Sequence, residues 1–91
     1  MSDDERVGPV LCAGQLADAM IQAIVEGNHE TEVEERGGYR RVSTPRRCVL
    51  SRAALEEALG HPVHLPSALE KIMASFRGRL ALSDDEARWE R

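Results

Sequence analysis

A charged segment around two glycines, TEVEERGGYRRVST, constrains the fold of this chain more than any other part of its sequence. Gly37-Gly38 suits a two-residue primed turn, which requires a positive φ. That turn sets four cross-strand pairs: Arg36 with Tyr39, Glu35 with Arg40, Glu34 with Arg41, and Val33 with Val42. Opposite-charge and β-branched pairs each contribute roughly 0.2–1 kcal/mol, and a slip of one residue would lose them. The segment therefore predicts an antiparallel hairpin with one register.

Apolar residues at helical spacing predict three helices, within GQLADAMIQAIVEGN (14–28), SRAALEEALG (51–60) and HPVHLPSALEKIM (61–73). Gly27 and Asn28 supply a stop for the first, because both tolerate the left-handed conformation that often ends a helix. Ser51 can cap the second by accepting from a free backbone N–H, and Gly60 ends it. Pro66 suits the first turn of the third.

The remaining segments predict strands, namely VGPVLCA (7–13), RCVLS (47–51), MASFRGRLAL (73–82) and EARWER (86–91). Pro9 lacks a backbone donor, which favours a strand end or a sheet edge. Alternation along residues 73–82 places Phe76 in the core with Leu80. The same alternation turns Ser75 and Arg77 the other way.

These elements follow the order β-α-β-β-β-α-α-β-β, which predicts an α+β fold of antiparallel hairpins packed with about three helices. The 91 residues are enough for a single small domain. We expect that domain to span residues 7–91, after a flexible tail at residues 1–6.

Composition argues against several classes of partner. Sixteen acidic residues outnumber twelve basic ones, so we expect no nucleic-acid binding, which requires phosphate neutralisation. No apolar run approaches the ~20 residues that span a bilayer, so no membrane association is expected. The acidic start MSDDER lacks a secretory layout, and two cysteines are too few for a disulfide framework. The sequence predicts a cytoplasmic protein with reduced thiols.

The sequence contains only weak signals for a metal-binding or catalytic site. His61 and His64 in HPVH could serve a small metal-dependent enzyme, but structural zinc usually takes paired ligands, and His29, Cys12 and Cys48 are scattered. No Gly-x-Ser-x-Gly elbow or comparable setting holds a nucleophile. We therefore predict no catalytic residue, no metal site and no cofactor.

Arginines near the hairpin allow two interpretations. Arg40, Arg41, Arg46 and Arg47 could form a basic patch for phosphate. The favoured alternative is cross-strand pairing with Glu34 and Glu35. The glycines nearby match neither a P-loop nor a dinucleotide fingerprint.

Four segments in order resemble one family: VGPVLCAGQLADAMIQAI, EVEERGGYRRV, LSRAALEEALGHP and LEKIMASFRGRL. This series resembles the MmoB/DmpM family, the small effector or coupling proteins of bacterial multicomponent diiron monooxygenases. The likeness is greatest to the effectors of toluene-type aromatic monooxygenases. It covers about residues 7–89, and its specificity lies in the ordered series because no single motif is specific.

The resemblance implies a non-catalytic regulatory protein without a cofactor. Such a protein docks on the large subunit of a diiron hydroxylase and reshapes its active site and channel. Electrons and O₂ are thereby coupled to substrate hydroxylation, in this case in aromatic hydrocarbon catabolism. The ferredoxin or reductase of the same system would be an indirect partner, and the free protein is expected to be monomeric. The alternative is a stand-alone regulatory or scaffold domain that binds an unrelated protein.

The resemblance also implies partner-binding residues. The family uses the end of the first long helix and the loop after it, here Glu26, Gly27, Asn28 and His29. It also uses the Ala-Ser-Phe-x-Gly segment, here Ala74 and Ser75, and alternation adds Arg77 and Arg79. Asn28 is the leading candidate because an amide both donates and accepts hydrogen bonds. The alternative is that Asn28 only terminates the helix.

Overall fold

Residues 5–91, the part of the chain that the computed structural model describes, form seven strands and three helices. In chain order they are β1 (Arg6–Cys12), α1 (Gln15–Gly27), β2 (Glu32–Arg36), β3 (Tyr39–Pro45), β4 (Arg47–Ser51), α2 (Arg52–Leu59), α3 (Leu65–Ile72), β5 (Met73–Arg77), β6 (Arg79–Leu82) and β7 (Glu86–Glu90). The predicted α+β class is confirmed. Of the predicted tail, residues 1–4 lie outside the described residues, and β1 begins at Arg6.

The strands form two antiparallel sheets. One has four strands in the order β2-β3-β1-β5, and the other has three in the order β4-β7-β6. The first strand of the chain is therefore an interior strand, paired with β3 on one side and with β5 on the other. The three helices contribute buried apolar residues to one core shared with both sheets.

The core is mainly aliphatic. Its fully buried members include Leu11 of β1, Met20 and Ile24 of α1, and Leu50 of β4. Trp89 of β7 is the large exception, and it is also fully buried. All three helices contribute buried apolar residues to this core, which confirms the helical spacing of apolar residues read from the sequence.

The predicted turn at Gly37-Gly38 and the predicted caps of α2 are confirmed. β2 and β3 pair in the predicted register at all four positions. Gly37 supplies the positive φ, 55°, that the turn requires. The Ser51 hydroxyl accepts from the backbone N–H of Ala54 at 3.3 Å, and Gly60 ends α2 with a left-handed φ of 84°.

The predicted single strand over residues 73–82 is two strands in different sheets. β5 pairs with β1, whereas β6 pairs with β7, and Gly78 with φ 99° stands between them. The prediction that Phe76 lies in the core is therefore wrong, since 45% of Phe76 is exposed. The physical reason is that β5 is an edge strand with a neighbouring strand on one side only, so the alternation of its side chains does not ensure their burial.

The placement of Pro9 at a strand end or sheet edge is also wrong, because Pro9 lies buried in the interior of β1. Pairing between β1 and β3 holds at Val7–Thr44, is interrupted at Gly8-Pro9, and resumes in the same register at Val10–Arg41. The interruption allows an interior strand to carry a residue with no backbone N–H.

Gly8 is predicted to tolerate no side chain. Its φ is +146°, and a Cβ built there would lie 2.1 Å from the carbonyl oxygen of Val42, which is backbone and cannot move aside easily. We expect Gly8→Ala to lower the free energy of unfolding by about 3 kcal/mol. The measurement is the midpoint of urea denaturation. The matched control is Gly27→Ala, since Gly27 has no positive φ and nothing within 4 Å of its Cβ position. An equal loss in both variants would contradict the close-approach argument.

Candidate functional site

The residues predicted at the end of α1 lie around a shallow depression of about 380 Å³. Its lining comprises Gly27, Asn28, His29, Glu30, Pro45, Arg47 and Val49. Glu26 is exposed in the last turn of α1 but does not line the depression. We call this depression the helix-end groove.

The residues predicted on the Ala-Ser-Phe-x-Gly segment lie on β5, at one edge of the four-stranded sheet. Ser75 pairs with Val10 of β1 and Arg77 pairs with Gly8. Both line a second depression, of about 240 Å³, which crosses the sheet to Glu32 and Arg41. We call it the sheet groove. Ala74 and Arg79 are exposed nearby but do not line it.

The two grooves adjoin through one cross-strand pair. Arg6, the first residue of β1, lines the sheet groove and pairs with Pro45 of β3, which lines the helix-end groove. Five of the eight predicted residues therefore belong to one continuous surface, and they are Gly27, Asn28, His29, Ser75 and Arg77. We call the two grooves together the contact face.

Asn28 is placed differently from the expectation for a helix stop. Its φ is −139°, which is extended rather than left-handed, and its side chain does the capping. The Nδ2 group donates to the carbonyl oxygens of Ile24 at 2.7 Å and of Val49 at 2.8 Å. The Oδ1 atom accepts from the N–H of Val49 at 3.0 Å. The amide thus joins the end of α1 to β4, and its polar atoms are occupied within the chain.

Arg6 is one residue of this surface that the sequence did not indicate, since it was assigned to the tail. Its guanidinium donates to the Ser43 hydroxyl at 3.0 Å, to the Ser43 carbonyl at 2.8 Å and to the Glu30 carbonyl at 2.6 Å. Only 13% of the Arg6 side chain is exposed, and Glu32 lies 3.5 Å from its Nε. The only signal for this role is the pairing of β1 with β3, which no local pattern reveals.

Some charged residues around the contact face form ion pairs within the described part of the chain, and others do not. Glu26 and Glu30 at the helix end, and Arg77 and Arg79 around Gly78, form no ion pair within residues 5–91. By contrast, the hairpin arginines are paired. Arg40 lies 2.7 Å from Asp18 and 3.9 Å from Glu35, and Arg41 lies 3.7 Å from Glu34. These contacts favour cross-strand pairing over a phosphate-binding patch.

Two side chains outside both grooves have shifted pKa values. Hydrogen bonding to Arg46, together with the nearby charge of Arg91, holds the pKa of the Glu5 carboxyl below its usual value. This carboxylate joins the start of β1 to the turn before β4 and to the C-terminus. Burial raises the pKa of the Cys48 thiol to about 11, so Cys48 is a neutral core side chain at pH 7.

His61 and His64 lie at a separate depression of about 530 Å³, beside the start of α1 and α3. The Nδ1 atom of His64 lies 2.7 Å from the Ser67 hydroxyl, and that of His61 lies 3.0 Å from the Pro62 carbonyl oxygen. Within residues 5–91, no group of three or more His, Cys, Asp or Glu side chains is arranged to hold a metal ion. None of the helices in that range has the length and apolar character needed to span a bilayer.

Comparison with known proteins gives a match over almost the whole chain. The model of a family described as MmoB/DmpM matches residues 5–90. A protein of Xanthobacter autotrophicus (strain ATCC BAA-1158 / Py2), named as the effector subunit of an alkene monooxygenase system, is 49% identical over 89 residues. That alignment covers 96% of this chain and 87% of the relative.

Solved structures with the same fold come from phenol hydroxylase–regulatory protein complexes. A chain of one such complex matches with a TM-score of 0.85 and 22% identity, over 94% of this chain and 98% of its own length. A chain of a second such complex matches with a TM-score of 0.81 and 21% identity, over 94% of this chain and 99% of its own length. At these identities the likeness establishes the fold.

The hydrogen bonds of the Asn28 amide lead to a prediction about stability. Asn28→Asp keeps the shape but replaces a donor to two carbonyl oxygens with a carboxylate oxygen, so we expect a loss of about 2 kcal/mol in the free energy of unfolding at pH 7. The loss should shrink as the pH is lowered, because a protonated carboxyl can donate again. Urea denaturation at several pH values measures both effects. The control is His29→Ala, which alters an exposed neighbour. A pH-independent loss would contradict the assigned donor role.

Proposed function

The chain belongs to the MmoB/DmpM family, and we propose that within it the chain is the effector protein of a multicomponent diiron monooxygenase. It is a non-catalytic component, and its partner is the hydroxylase component of that system. Docking changes the conformation of the hydroxylase around its active site and substrate channel. Electrons and O₂ are then spent on hydroxylation of the substrate.

The observation that carries this proposal is the near full-length identity of 49% to a protein named as an effector subunit. The alternative of a scaffold domain for an unrelated partner has no comparable support. The geometry agrees with an effector role. The contact face is shallow and lined by both polar and apolar groups, and within residues 5–91 its charged residues Glu30 and Arg77 form no ion pair, which leaves both charges available to a docking partner.

The energetics of such a role require a broad surface. A partner that does not react can act only by binding one conformation of the hydroxylase more tightly than another. Moving an equilibrium from 1:99 to 99:1 takes about 5.5 kcal/mol of differential binding. One exposed ion pair contributes about 0–1 kcal/mol, so many contacts spread over a broad surface are needed.

We infer that the contact face, with its neighbours, is the hydroxylase-binding surface. Gly27 and His29 supply contacts from the helix-end groove, and Ser75 and Arg77 supply them from the sheet groove. The exposed residues Glu26, Ala74 and Arg79 extend the surface at its borders. Asn28 belongs to it through its backbone position, since its amide is occupied internally.

The relative also suggests the class of substrate. We propose that the hydroxylase served by this chain acts on alkenes, because the 49% identical relative belongs to an alkene monooxygenase system. Aromatic hydrocarbons, expected from the sequence resemblance, are the second candidate. Two free cysteines, one of them exposed, support placement in the cytoplasm, where thiols stay reduced.

The direct test is a reconstituted oxidation assay. We expect addition of this protein to the purified hydroxylase encoded with it, plus the reductase components, to raise product formed per reducing equivalent consumed. Alkenes and aromatic hydrocarbons are supplied in parallel, and product is measured by gas chromatography. Unchanged turnover and unchanged coupling with both substrate classes would contradict the proposed function.

The surface assignment is tested by added bulk. Ser75 is exposed in the sheet groove, so Ser75→Trp is expected to weaken binding to the hydroxylase at least about tenfold, measured by isothermal titration calorimetry. The control is Ala53→Trp, which adds a similar ring at an exposed position of α2 away from both grooves. Equal affinities for the two variants would show that the sheet groove is not part of the interface.

A further inference from the structure

The segment after α1 contains a residue in an unfavourable backbone conformation. Glu30 has a φ of +56°, in the left-handed region that favours glycine. Residues other than glycine keep such a conformation only where surrounding contacts hold it. Glu30 is itself exposed, so its own side chain is not what packs it in place.

Two side chains from other parts of the fold supply those contacts. Asn28 fixes the start of the segment, because its amide bonds both backbone groups of Val49 as a neighbouring strand would. Arg6 fixes the middle, because its Nη2 group donates to the Glu30 carbonyl at 2.6 Å. Arg6 is in turn anchored on Ser43 by two further hydrogen bonds. We call residues 28–31 the clamped turn.

The residues that hold the clamped turn differ in exposure from the residues within it. Arg6 and Asn28 bond to backbone groups within the chain and are largely withdrawn from solvent, whereas His29 and Glu30 are exposed. We propose that Arg6 and Asn28 are positioning residues, which hold the clamped turn in the shape that the hydroxylase binds. This inference rests on the proposed function and explains part of the affinity of the chain for the hydroxylase.

The physical benefit is preorganisation. A turn that is free before docking must be ordered on docking, and that cost is subtracted from the binding free energy. Arg6 also lines the sheet groove beside Ser75 and Arg77. Its guanidinium therefore joins Glu30 of the helix-end groove to Ser43 of the sheet groove.

The first test replaces the guanidinium group of Arg6 and its several N–H donors. Lysine keeps the charge but offers one ammonium, which cannot serve Ser43 and Glu30 in the same planar geometry. We expect Arg6→Lys to weaken binding to the purified hydroxylase about tenfold. The matched control is Arg36→Lys, because Arg36 is exposed on β2 and, among residues 5–91, the side chain that its guanidinium bonds is that of Glu34. An affinity for Arg6→Lys equal to that of the control would overturn the proposal.

The second test separates positioning from direct contact. Glycine adopts a φ of +56° without steric cost, so Glu30→Gly should let the turn keep its shape without the clamp. We expect Arg6→Lys/Glu30→Gly to bind within about threefold of Glu30→Gly alone. If the two changes instead multiply to the full tenfold loss, Arg6 contacts the hydroxylase directly and the positioning role is wrong.

The third test needs no partner, so its failure is distinguishable from failure of the proposed function. Backbone amide relaxation by NMR on the free protein should show greater mobility of residues 29–31 in Arg6→Lys than in wild type or Arg36→Lys. Unchanged mobility would overturn the clamp even if the hydroxylase binds. Failure of the wild-type protein to bind its hydroxylase would overturn the docking role, whatever the relaxation result.

Discussion

The pairing of β1 on both of its sides is the constraint on which the rest of this structure depends. β1 is an interior strand, and at Gly8 its backbone approaches Val42 so closely that a Cβ would lie 2.1 Å from a carbonyl oxygen. The same strand sets the register of β5, which places Arg77 opposite Gly8. It also carries Arg6 to the end of β3, next to the segment that follows α1. The contact face is thus assembled by one strand rather than by one local motif.

Features governed by neighbouring residues were predictable from the sequence. The hairpin register follows from Gly37-Gly38 and the charges that flank it, and all of its pairs are found. The cap at Ser51 and the left-handed end at Gly60 follow from side chains adjacent to the helix they bound. In each case the determining contacts lie within a few residues of one another, so sequence spacing fixes geometry.

Features governed by distant contacts were not predictable. Nothing in the residues near Pro9 shows that β1 lies between two strands, and nothing near Phe76 shows that β5 is an edge. The Asn28 amide was expected to face a partner, but its bonds to Val49 span 21 residues of sequence. The segments of the candidate site were predicted from the resemblance of the sequence to the MmoB/DmpM family. How the two segments join at Arg6 depends on strand pairing, which a single sequence does not encode locally.

A surface that acts by binding alone benefits from being rigid. A surface that adapted to both conformations of its partner with equal free energy would shift no equilibrium, however tightly it bound. A rigid surface fits one conformation better, and the misfit with the other is the differential free energy that biases the partner. In this chain the rigidity comes from Gly8 packed on Val42, from Arg6 on Glu30 and Ser43, and from Asn28 on Val49. By reciprocity, a hydroxylase held in its favoured conformation must bind the effector more tightly. On the proposed positioning role, the same contacts that stabilise this small fold also determine how strongly it acts on its partner.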